Sequence, residues 1–404
     1  MPAPVIIVGG GPAGMVAGLL FARAGVPVTV LEKHADFLRD FRGDTVHPST
    51  LDLFHEIGLL DELLKEPHAA IDTMTLNLLG QQYTIATMKH LPVAAPFVAM
   101  MPQWDLLDFI AGQGRKYRTF DLRMSTEATG LTYDAANRVD GVTLASGEAL
   151  PARLVIAADG RRSVLRGAAD LPLEDLGAPM DVLWFRVPVP AGMDMSEVAL
   201  GTIDKGGMVV AIPRGDYWQC AQVIEKGGFP AIEARGIAAF RDNIVGLVPG
   251  LGAGIDAIAS FDDVKLLTVA LDRLTRWSRP GLLAIGDAAH AMSPVGGVGI
   301  NLAVQDAVAA ANILAAPLAA GADPDPLLAK VQDRRWKPTT RMQALQRFAH
   351  QRVIEPMLRG EITRVPFAVR LLDAIPLLRR IPGRILGLGF GRQHVQSPLA
   401  KDFS

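Results

Sequence analysis

The 404-residue sequence contains almost no cysteine. Cys220 is the only one, so no intrachain disulfide and no cysteine-rich metal site can form. We therefore expect no metal centre and favour a reducing compartment. The first apolar strand begins within a few residues of Met1, which leaves no room for a secretory signal, and the expected location is the cytoplasm.

The sequence also lacks a long apolar run and an excess of charge of one sign. No stretch of about 18 uninterrupted apolar residues occurs, so no membrane-spanning helix is expected. The alanine-rich stretch 307–322 comes closest, but Asn312 and Pro317 interrupt it. The formal net charge of −2 argues against a general nucleic-acid binder. Half of the residues are hydrophobic and a fifth are charged, as in an ordinary globular enzyme of two or three domains.

The first informative motif of the sequence lies at its N-terminus. The apolar run 5–8 is typical of a buried parallel strand, and the sequence GGGPAG at 9–14 fits the pattern G-x-G-x-x-G. Helical spacing of apolar residues follows. A second strand, at 28–31, then ends in Glu32. This order of strand, glycine turn, helix, strand and acid is that of a dinucleotide-binding unit.

Each of these residues has a physical reason to be there. Gly9 permits a tight turn, Gly11 lets the backbone approach a pyrophosphate, and Gly14 lets helix and strand pack closely. The start of the helix offers free N–H groups and partial positive charge to phosphate. Glu32 lies where a carboxylate meets a ribose hydroxyl. The motif alone does not settle whether the bound dinucleotide is NAD or FAD.

A second glycine-rich helix start recurs near the other end of the chain. The buried strand 282–285 runs into GDAAH at 286–290, and PVGGVGIN at 294–301 opens a long helix through Ala315. The anion-binding argument applies here as well. A further buried run, at 154–158, ends in Asp159 and Gly160.

The remaining segments predict an antiparallel sheet. Strand-like pieces at 182–189, 208–212 and 217–223 are separated by glycine, proline and charge. An inserted hairpin is predicted between 71 and 98, with its turn at 80–82. A helix capped by Ser49 is predicted to run through Leu60, and a strand over 120–128.

Taken together, these motifs resemble the FAD-dependent aromatic hydroxylases, the group A flavoprotein monooxygenases of the para-hydroxybenzoate hydroxylase type, over about residues 4–349. The resemblance implies an α/β fold with a Rossmann-like FAD-binding domain, an interleaved antiparallel-sheet substrate domain and a helical C-terminal segment. The expected ranges are 1–70, 98–180 and 265–345 for the FAD-binding domain, 71–97 and 181–264 for the substrate domain, and 346–404 for the C-terminal segment.

The resemblance also implies cofactor contacts residue by residue. At the adenosine end, the pyrophosphate, ribose and adenine would be held by Gly9, Gly11, Pro12, Ala13, Gly14, Glu32, Lys33, Ala128, Asp159 and Gly160. At the flavin end, the ribityl chain, the flavin edge and the oxygen-reacting face would be met by Arg42, Gln103, Asp287, Pro294, Gly297, Val298, Gly299, Ile300 and Asn301.

The activity implied by the resemblance is NAD(P)H- and O2-dependent hydroxylation of a small phenolic or related aromatic compound through a C4a-hydroperoxyflavin. No second G-x-G-x-x-G unit is found for the nicotinamide cofactor, as in that family. The alternatives are a flavin-dependent halogenase or reductase on the same fold, and a flavoprotein that binds a ligand without turnover. The halogenase motif W-x-W-x-I-P is absent from the sequence.

The catalytic candidates are Arg42, His47 and Pro294. The tyrosine relay of para-hydroxybenzoate hydroxylase is not recognisable among the only four tyrosines. His47 is therefore the polar group proposed near the flavin, with a plain loop histidine as the alternative. Arg42 is either a cofactor ligand or a solvated surface residue, and His290 is expected to be a structural partner of the cofactor loop.

The segment beyond Arg334 is basic and is interrupted by Pro366, Pro376 and Pro382. Prolines break a long amphipathic face, so short helices docked on the flavin domain are the favoured interpretation. Contact with an anionic membrane and an arginine-rich dimer surface are the alternatives, and we expect a monomer or a homodimer.

Overall fold

The structure, a computed structural model, describes residues 3–38, 45–190, 192–193, 200–204 and 207–400. Arg42, one of the predicted site residues, lies outside the described residues. The strands are β1 Val5–Val8, β2 Val28–Leu31, β3 Thr45–Val46, β4 Ala69–Ile71, β5 Thr73–Leu78, β6 Gln81–Thr87, β7 Val98–Met100, β8 Phe120–Arg123, β9 Ala128–Tyr133, β10 Val139–Leu144, β11 Ala149–Pro151, β12 Leu154–Ala157, β13 Leu173–Asp175, β14 Met180–Pro188, β15 Gly201–Asp204, β16 Gly207–Pro213, β17 Tyr217–Glu225, β18 Lys265–Leu267, β19 Asp272–Leu274, β20 Ser278–Arg279 and β21 Leu282–Ala284.

Helices and short turns connect these strands. The α-helices are α1 Pro12–Arg23, α2 Pro48–Glu56, α3 Leu60–Leu63, α4 Gln103–Gly114, α5 Val164–Ala168, α6 Phe229–Ala234, α7 Ile237–Leu247, α8 Gly299–Ala319, α9 Asp325–Ala349, α10 Glu355–Leu358, α11 Phe367–Ala374 and α12 Arg380–Leu388. Short 3-10 turns at Gly286–Ala288 and Val295–Gly297 precede α8.

The first sheet has six strands in the order β20-β21-β12-β1-β2-β8. Strands β21, β12, β1, β2 and β8 are parallel, with Val5 of β1 opposite Leu154 and Val28 of its two neighbours. Strand β1 is buried along its whole length, as its apolar run predicts. The predicted Rossmann-like arrangement is confirmed, and the carboxyl ends of its strands lie at the edge where ligands bind in such sheets.

The second sheet has seven strands in the order β18-β14-β17-β16-β15-β5-β6. Strands β14, β17 and β16 form the antiparallel centre, as predicted. The predicted hairpin is β5–β6, and it joins the same sheet through a parallel contact with β15. One face of this sheet packs on α7 through a buried apolar cluster that contains Phe185, Cys220 and Phe240.

Two local predictions are wrong. The helix expected from Ser49 through Leu60 is two helices: His47, not Ser49, is the N-cap of α2, and Gly58 at φ 75° separates α2 from α3. A left-handed backbone cannot continue a right-handed helix. The single strand expected over 120–128 is likewise divided between β8 and β9, with Ser125 at φ 51° between them.

The C-terminal segment packs against the edge of the seven-stranded sheet. Helices α11 and α12 both contact β6. A Cβ on Gly383 of α12 would lie 1.9 Å from the Thr87 carbonyl oxygen, so this contact requires glycine. Helix α11 leaves Phe367 71% exposed. By length and composition, one helix in the described part of the chain could cross a membrane, Val295–Ala319, and 72% of its most apolar window is buried within the protein.

Candidate functional site

The glycine turn after β1 has the geometry that its sequence predicts. Gly9 has φ +111°, and a Cβ there would lie 2.3 Å from the Ala158 carbonyl oxygen. A Cβ on Gly14 would lie 1.9 Å from the carbonyl oxygen of Gly9. Both positions therefore exclude any larger residue. Gly11, the N-cap of α1, is different, because a Cβ there would meet no atom of the described residues within 4 Å.

The start of α1 is left free for an anion. Gly11 supplies no side-chain cap, Pro12 occupies the first turn, and that turn carries no acidic residue. The remaining N–H groups at a helix start need an acceptor, and their partial positive charge favours phosphate. Pro12, Ala13 and Gly14 thus lie where the sequence places a pyrophosphate.

Glu32 is held beside this turn at the end of β2. Its carboxylate accepts the Gly10 N–H at 2.9 Å and the His34 N–H at 3.0 Å, and it is 9% exposed. The Thr126 N–H donates to the Glu32 carbonyl, which brings the start of β9, Ala128, near the same place. Lys33 is exposed to solvent.

The two glycine-lined helix starts converge around Gly286. A Cβ on Gly286 would lie 2.9 Å from the Cβ of Ala13 in α1 and 3.3 Å from the Cβ of Ala303 in α8. Helices α1 and α8 also pack directly on each other. One extended ligand could therefore contact both helix starts, although they are almost 290 residues apart in the sequence.

The loop before α8 is fixed by two left-handed glycines. Gly296 has φ +81° and Gly297 has φ +63°. Thr45 of β3 donates its hydroxyl to the Gly297 carbonyl at 2.7 Å. Helix α8 then begins with Val298 as N-cap, without a capping side chain and without an acid in its first turn. Its free N–H groups suit a negatively charged group, as at α1.

The Asn301 side chain is engaged with the protein. Its Oδ1 accepts the His47 N–H at 2.9 Å and the Thr50 hydroxyl at 2.6 Å, and its Nδ2 donates to the Thr45 carbonyl at 3.4 Å. The side chain is 4% exposed. Asn301 thus ties α8 to β3 and α2, which leaves its backbone N–H as the group for a cofactor.

His47 is buried beneath α12. Its Nδ1 lies 2.6 Å from the Leu386 carbonyl oxygen, so Nδ1 carries the proton that is donated there. Burial lowers the pKa of His47, and the hydrogen bond to Leu386 offsets this only in part. A neutral imidazole held in this way suits a positioning role, and the catalytic role of His47 stays a prediction.

The remaining predicted residues lie around the same edge. Asp287 follows β21 and forms an ion pair with Arg161 at 3.6 Å, and Gln103 is the first residue of α4. Asp159 accepts the Ser163 hydroxyl at 2.5 Å and the Val164 N–H at 2.8 Å. Its carboxylate therefore caps α5 and fixes the loop rather than pointing at a ligand.

A buried charged cluster behind this edge is not apparent from the sequence. His290 Nε2 lies 2.6 Å from Asp306 Oδ2, and Arg335 donates its Nε–H to Asp306 Oδ1 at 2.7 Å. Each of the three side chains is at most 1% exposed. Asp306 also accepts the Gly286 N–H at 3.0 Å, so the cluster supports the point where the two helix starts meet. His290 thus has Asp306 as its hydrogen-bond partner, and its structural role stays a prediction.

The face of the seven-stranded sheet that does not pack on α7 contacts the loop before α8. Val295 of that loop belongs to the same apolar cluster as Val182 and Val223 of the sheet. Trp184 and Val210 join this cluster to another one that contains Met100 and Leu388. An apolar surface therefore lies opposite the second helix start, where it can shield a reacting group from water.

Replacement of Thr45 by valine is expected to weaken cofactor binding about fivefold. The change keeps the shape of the side chain and removes one hydrogen bond to the loop carbonyl of Gly297, worth about 1 kcal/mol. The measurement is the dissociation constant of FAD by quenching of flavin fluorescence. Thr129→Val is the control, because Thr129 also donates to a backbone carbonyl but lies on exposed β9. Equal losses of FAD affinity in the two variants would show that the hydrogen bond from Thr45 to Gly297 does not position the cofactor.

The fold and the two helix starts define a flavoprotein of the dinucleotide-binding type. The family model described as FAD binding domain matches residues 2–344, and the chain belongs to this family. It is 32% identical over 390 residues to 6-methylpretetramide 4-monooxygenase of Streptomyces rimosus, covering 94% of this chain and 91% of the relative. The protein is thus a flavoprotein monooxygenase of the para-hydroxybenzoate hydroxylase type.

Two further similarities have lower identity. The dialkyldecalin synthase of Streptomyces rugosporus is 24% identical over 397 residues, covering 92% of this chain and 80% of the relative. The structure of PqsL from Pseudomonas aeruginosa in complex with 2-aminobenzoylacetate superposes with a TM-score of 0.75 at 20% identity, covering 89% of this chain and 97% of PqsL. At this identity the likeness shows the fold alone.

Proposed function

We propose that this FAD-dependent monooxygenase uses NAD(P)H and O2 to hydroxylate a phenolic or related aromatic compound. The single observation that carries the proposal is the convergence of the two glycine-lined helix starts at Gly286, facing an apolar sheet surface. FAD, when bound and reduced by the nicotinamide, supplies the activation of oxygen.

The residues present fit an extended flavin dinucleotide. The open space at Gly11 and the uncapped start of α1 suit its pyrophosphate, and Glu32 suits a ribose. The uncapped start of α8 suits negative charge on the flavin ring. Asp287, Gln103 and Arg42 would complete the contacts to the ribityl chain and phosphates.

The chain's own groups would orient the reactants and exclude water. Thr45 and Asn301 hold the loop before α8, and Pro294 at its start would line the oxygen-reacting face. The apolar sheet surface would cover the aromatic ring and limit the loss of activated oxygen as peroxide. His47 and Arg42 stay as candidates for tuning charge near the flavin.

The proposed location and oligomeric state rest on the amino-acid composition and on the packing of the C-terminal helices. The single cysteine supports a reducing compartment, and the cytoplasm is the proposed location. A monomer or homodimer is proposed. The contacts of α11 and α12 with β6 support docked helices in preference to a membrane anchor.

The test is NAD(P)H oxidation by the FAD-loaded protein across a panel of phenols, with oxygen uptake, peroxide yield and product mass recorded together. A substrate is expected to speed oxidation, lower the peroxide yield and give a product with one added oxygen. A halogenase would add halogen, a reductase two hydrogens, and a protein without turnover would leave oxidation unchanged. Protein that stays colourless after FAD reconstitution would rule out the whole proposal.

The similarity to a dialkyldecalin synthase favours one further candidate, a ring-forming reaction without net oxidation. Such an activity would give a product of the same mass as its substrate and would not consume oxygen. An open-chain conjugated polyene added to the panel therefore separates the two functions by product mass and oxygen uptake.

A further inference from the structure

Helices α11 and α12 form a hairpin that covers one edge of the seven-stranded sheet. Strand β6 is the last in the order of that sheet, so its outward N–H groups need acceptors. Asp373 accepts the Thr84 N–H at 2.8 Å, and the Arg379 carbonyl accepts the Thr87 N–H at 3.1 Å. The Arg379 side chain donates to the Leu372 carbonyl at 2.9 Å and pairs with Asp373. The hairpin is therefore fixed to the sheet from its inner side.

The outer side of the hairpin exposes large apolar side chains. Phe367 is 71% exposed, Leu377 65% and Ile381 60%. These three residues lie within a stretch of 15 residues. Apolar side chains of this size are usually buried, and a group of them left in solvent marks a contact surface more often than a single one does.

Arginines are interleaved with these apolar residues. Arg370 is exposed one helical turn after Phe367, and Arg380 and Arg384 are exposed one turn apart on α12. The only acid between positions 364 and 384 is Asp373, which is paired with Arg379. The formal net charge of the whole chain is −2, so this positive charge is local. The α11–α12 outer surface is defined by six side chains: Phe367, Arg370, Leu377, Arg380, Ile381 and Arg384.

We propose that the α11–α12 outer surface rests on an anionic lipid bilayer, with its apolar side chains among the headgroups and its arginines on the lipid phosphates. Arginine combined with exposed phenylalanine and leucine is typical of helices that bind a membrane surface. Helices of 8 and 9 residues are too short to span a bilayer. The contact is therefore peripheral, and the hairpin stays docked on β6.

A second copy of the chain fits this surface less well. In a symmetric dimer the same surface of both subunits would meet. The arginines of one copy would then face those of the other, without an unpaired acid on either surface. Lipid phosphates supply the negative charge that the surface lacks, and arginine binds phosphate in a bidentate manner. A bilayer also accepts projecting apolar side chains without a shaped pocket.

Helix α12 lies between this surface and the candidate site. A Cβ on Gly296, in the loop before α8, would lie 3.2 Å from the side chain of Leu386 in α12. A helix with its side chains is about 10 Å wide. A bilayer on the outer surface would therefore lie about one helix diameter from that loop, close enough to bring membrane-dissolved compounds near the site.

The test is co-sedimentation of the FAD-loaded protein with phospholipid vesicles, without substrate or NAD(P)H. One set of vesicles contains phosphatidylcholine alone, and the other contains equal parts of phosphatidylcholine and phosphatidylglycerol. We expect binding to the anionic vesicles only, and much weaker binding at about 1 M salt, where charges are screened beyond about 3 Å. Leu377→Ser should weaken binding about tenfold. Arg380→Gln combined with Arg384→Gln should weaken it roughly thirtyfold.

Two exposed residues outside this surface give matched controls. Leu173→Ser, on β13, and Arg235→Gln, at the end of α6, should leave vesicle binding unchanged. Every substituted side chain is exposed, so the FAD content and melting temperature of each variant should match those of the wild type.

Binding to neither kind of vesicle would overturn the proposal, as would equal vesicle binding by the hairpin variants and their controls. A dimer that forms without lipid and dissociates in Leu377→Ser would instead assign the surface to a second copy of the chain. Binding of polyglutamate in place of vesicles would assign it to an acidic protein partner. The proposal does not rest on the proposed function, and each of these outcomes leaves hydroxylation untouched, because binding is measured without turnover.

Discussion

Gly11→Ala is expected to weaken FAD binding by about two orders of magnitude while leaving the stability of the FAD-free protein unchanged. The backbone of Gly11 has φ −77°, which alanine adopts freely, and within the described part of the chain no atom lies within 4 Å of the added Cβ. The new methyl group would occupy only the space through which a pyrophosphate approaches α1. A loss of two orders of magnitude corresponds to about 2.8 kcal/mol of binding free energy.

Substitutions of two other glycines serve as controls for this measurement. Gly112 lies in α4 with open space around its Cβ position, so Gly112→Ala should leave FAD binding unchanged and slightly stabilise the helix. Gly14→Ala should disrupt both folding and FAD binding, because its Cβ would overlap the Gly9 carbonyl. FAD titration and thermal unfolding without FAD are the two readouts. A wild-type affinity of Gly11→Ala for FAD would show that no phosphate group of the cofactor lies next to Gly11.

Arg335→Met is expected to reduce the free energy of unfolding by about 3 to 5 kcal/mol. Arg335 is 1% exposed, and its removal leaves the fully buried Asp306 carboxylate without its guanidinium partner. Urea unfolding at pH 7 measures the change. The control is Arg123→Met, since the Arg123–Asp121 pair is about half exposed, at 45% and 50%. Such surface pairs contribute about 0 to 1 kcal/mol.

The same cluster predicts a loss of stability in acid. Burial alone would raise the pKa of Asp306, but His290 and Arg335 outweigh it and hold that pKa below its usual range. A depressed carboxyl pKa contributes stability above the unfolded value, about 4, and that contribution disappears as pH falls through the folded value. Unfolding free energies measured between pH 6 and pH 3 should therefore fall less steeply for Asp306→Asn than for wild type. Identical slopes would show that Asp306 is not ionised in the folded protein.

An effect on cofactor binding should accompany the loss of stability. Asp306 accepts the Gly286 N–H, and Gly286 lies between Ala13 and Ala303. A shifted Gly286 would separate the two helix starts. We therefore expect Arg335→Met to retain less FAD after gel filtration than Arg123→Met does. Full retention would show that the cluster stabilises the fold without positioning the site.

The local motifs were predictable because their physical reasons are local. The turn at Gly9 needs a left-handed backbone, and the helix start at Gly11 follows it directly, so a short stretch of sequence contains the whole unit. Most strands of the two sheets were likewise predictable from apolar runs and turn residues, but the short strands β15, β18 and β20 were not. The prediction of one helix through Leu60 was wrong, because the left-handed backbone of Gly58 ends α2 although the helical spacing of apolar residues continues past it.

The parts that could not be predicted depend on contacts between distant segments. Thr45 and Gly297 are 252 residues apart, and nothing in the sequence near Thr45 distinguishes it from a surface threonine. Asn301 is predicted to offer its backbone N–H to the flavin, but nothing in the sequence indicates that its side chain bonds to His47 and Thr50.

The sequence by itself determined the two glycine-lined helix starts and the succession of strands and helices around them, since each is a property of neighbouring residues. Only the tertiary structure decided that both helix starts meet at Gly286, that the side chains of His290, Asp306 and Arg335 lie buried behind them, and which face of the second sheet turns towards the loop before α8. Those features arise from packing between segments far apart in the chain, and the side-chain types alone do not encode which segments will meet.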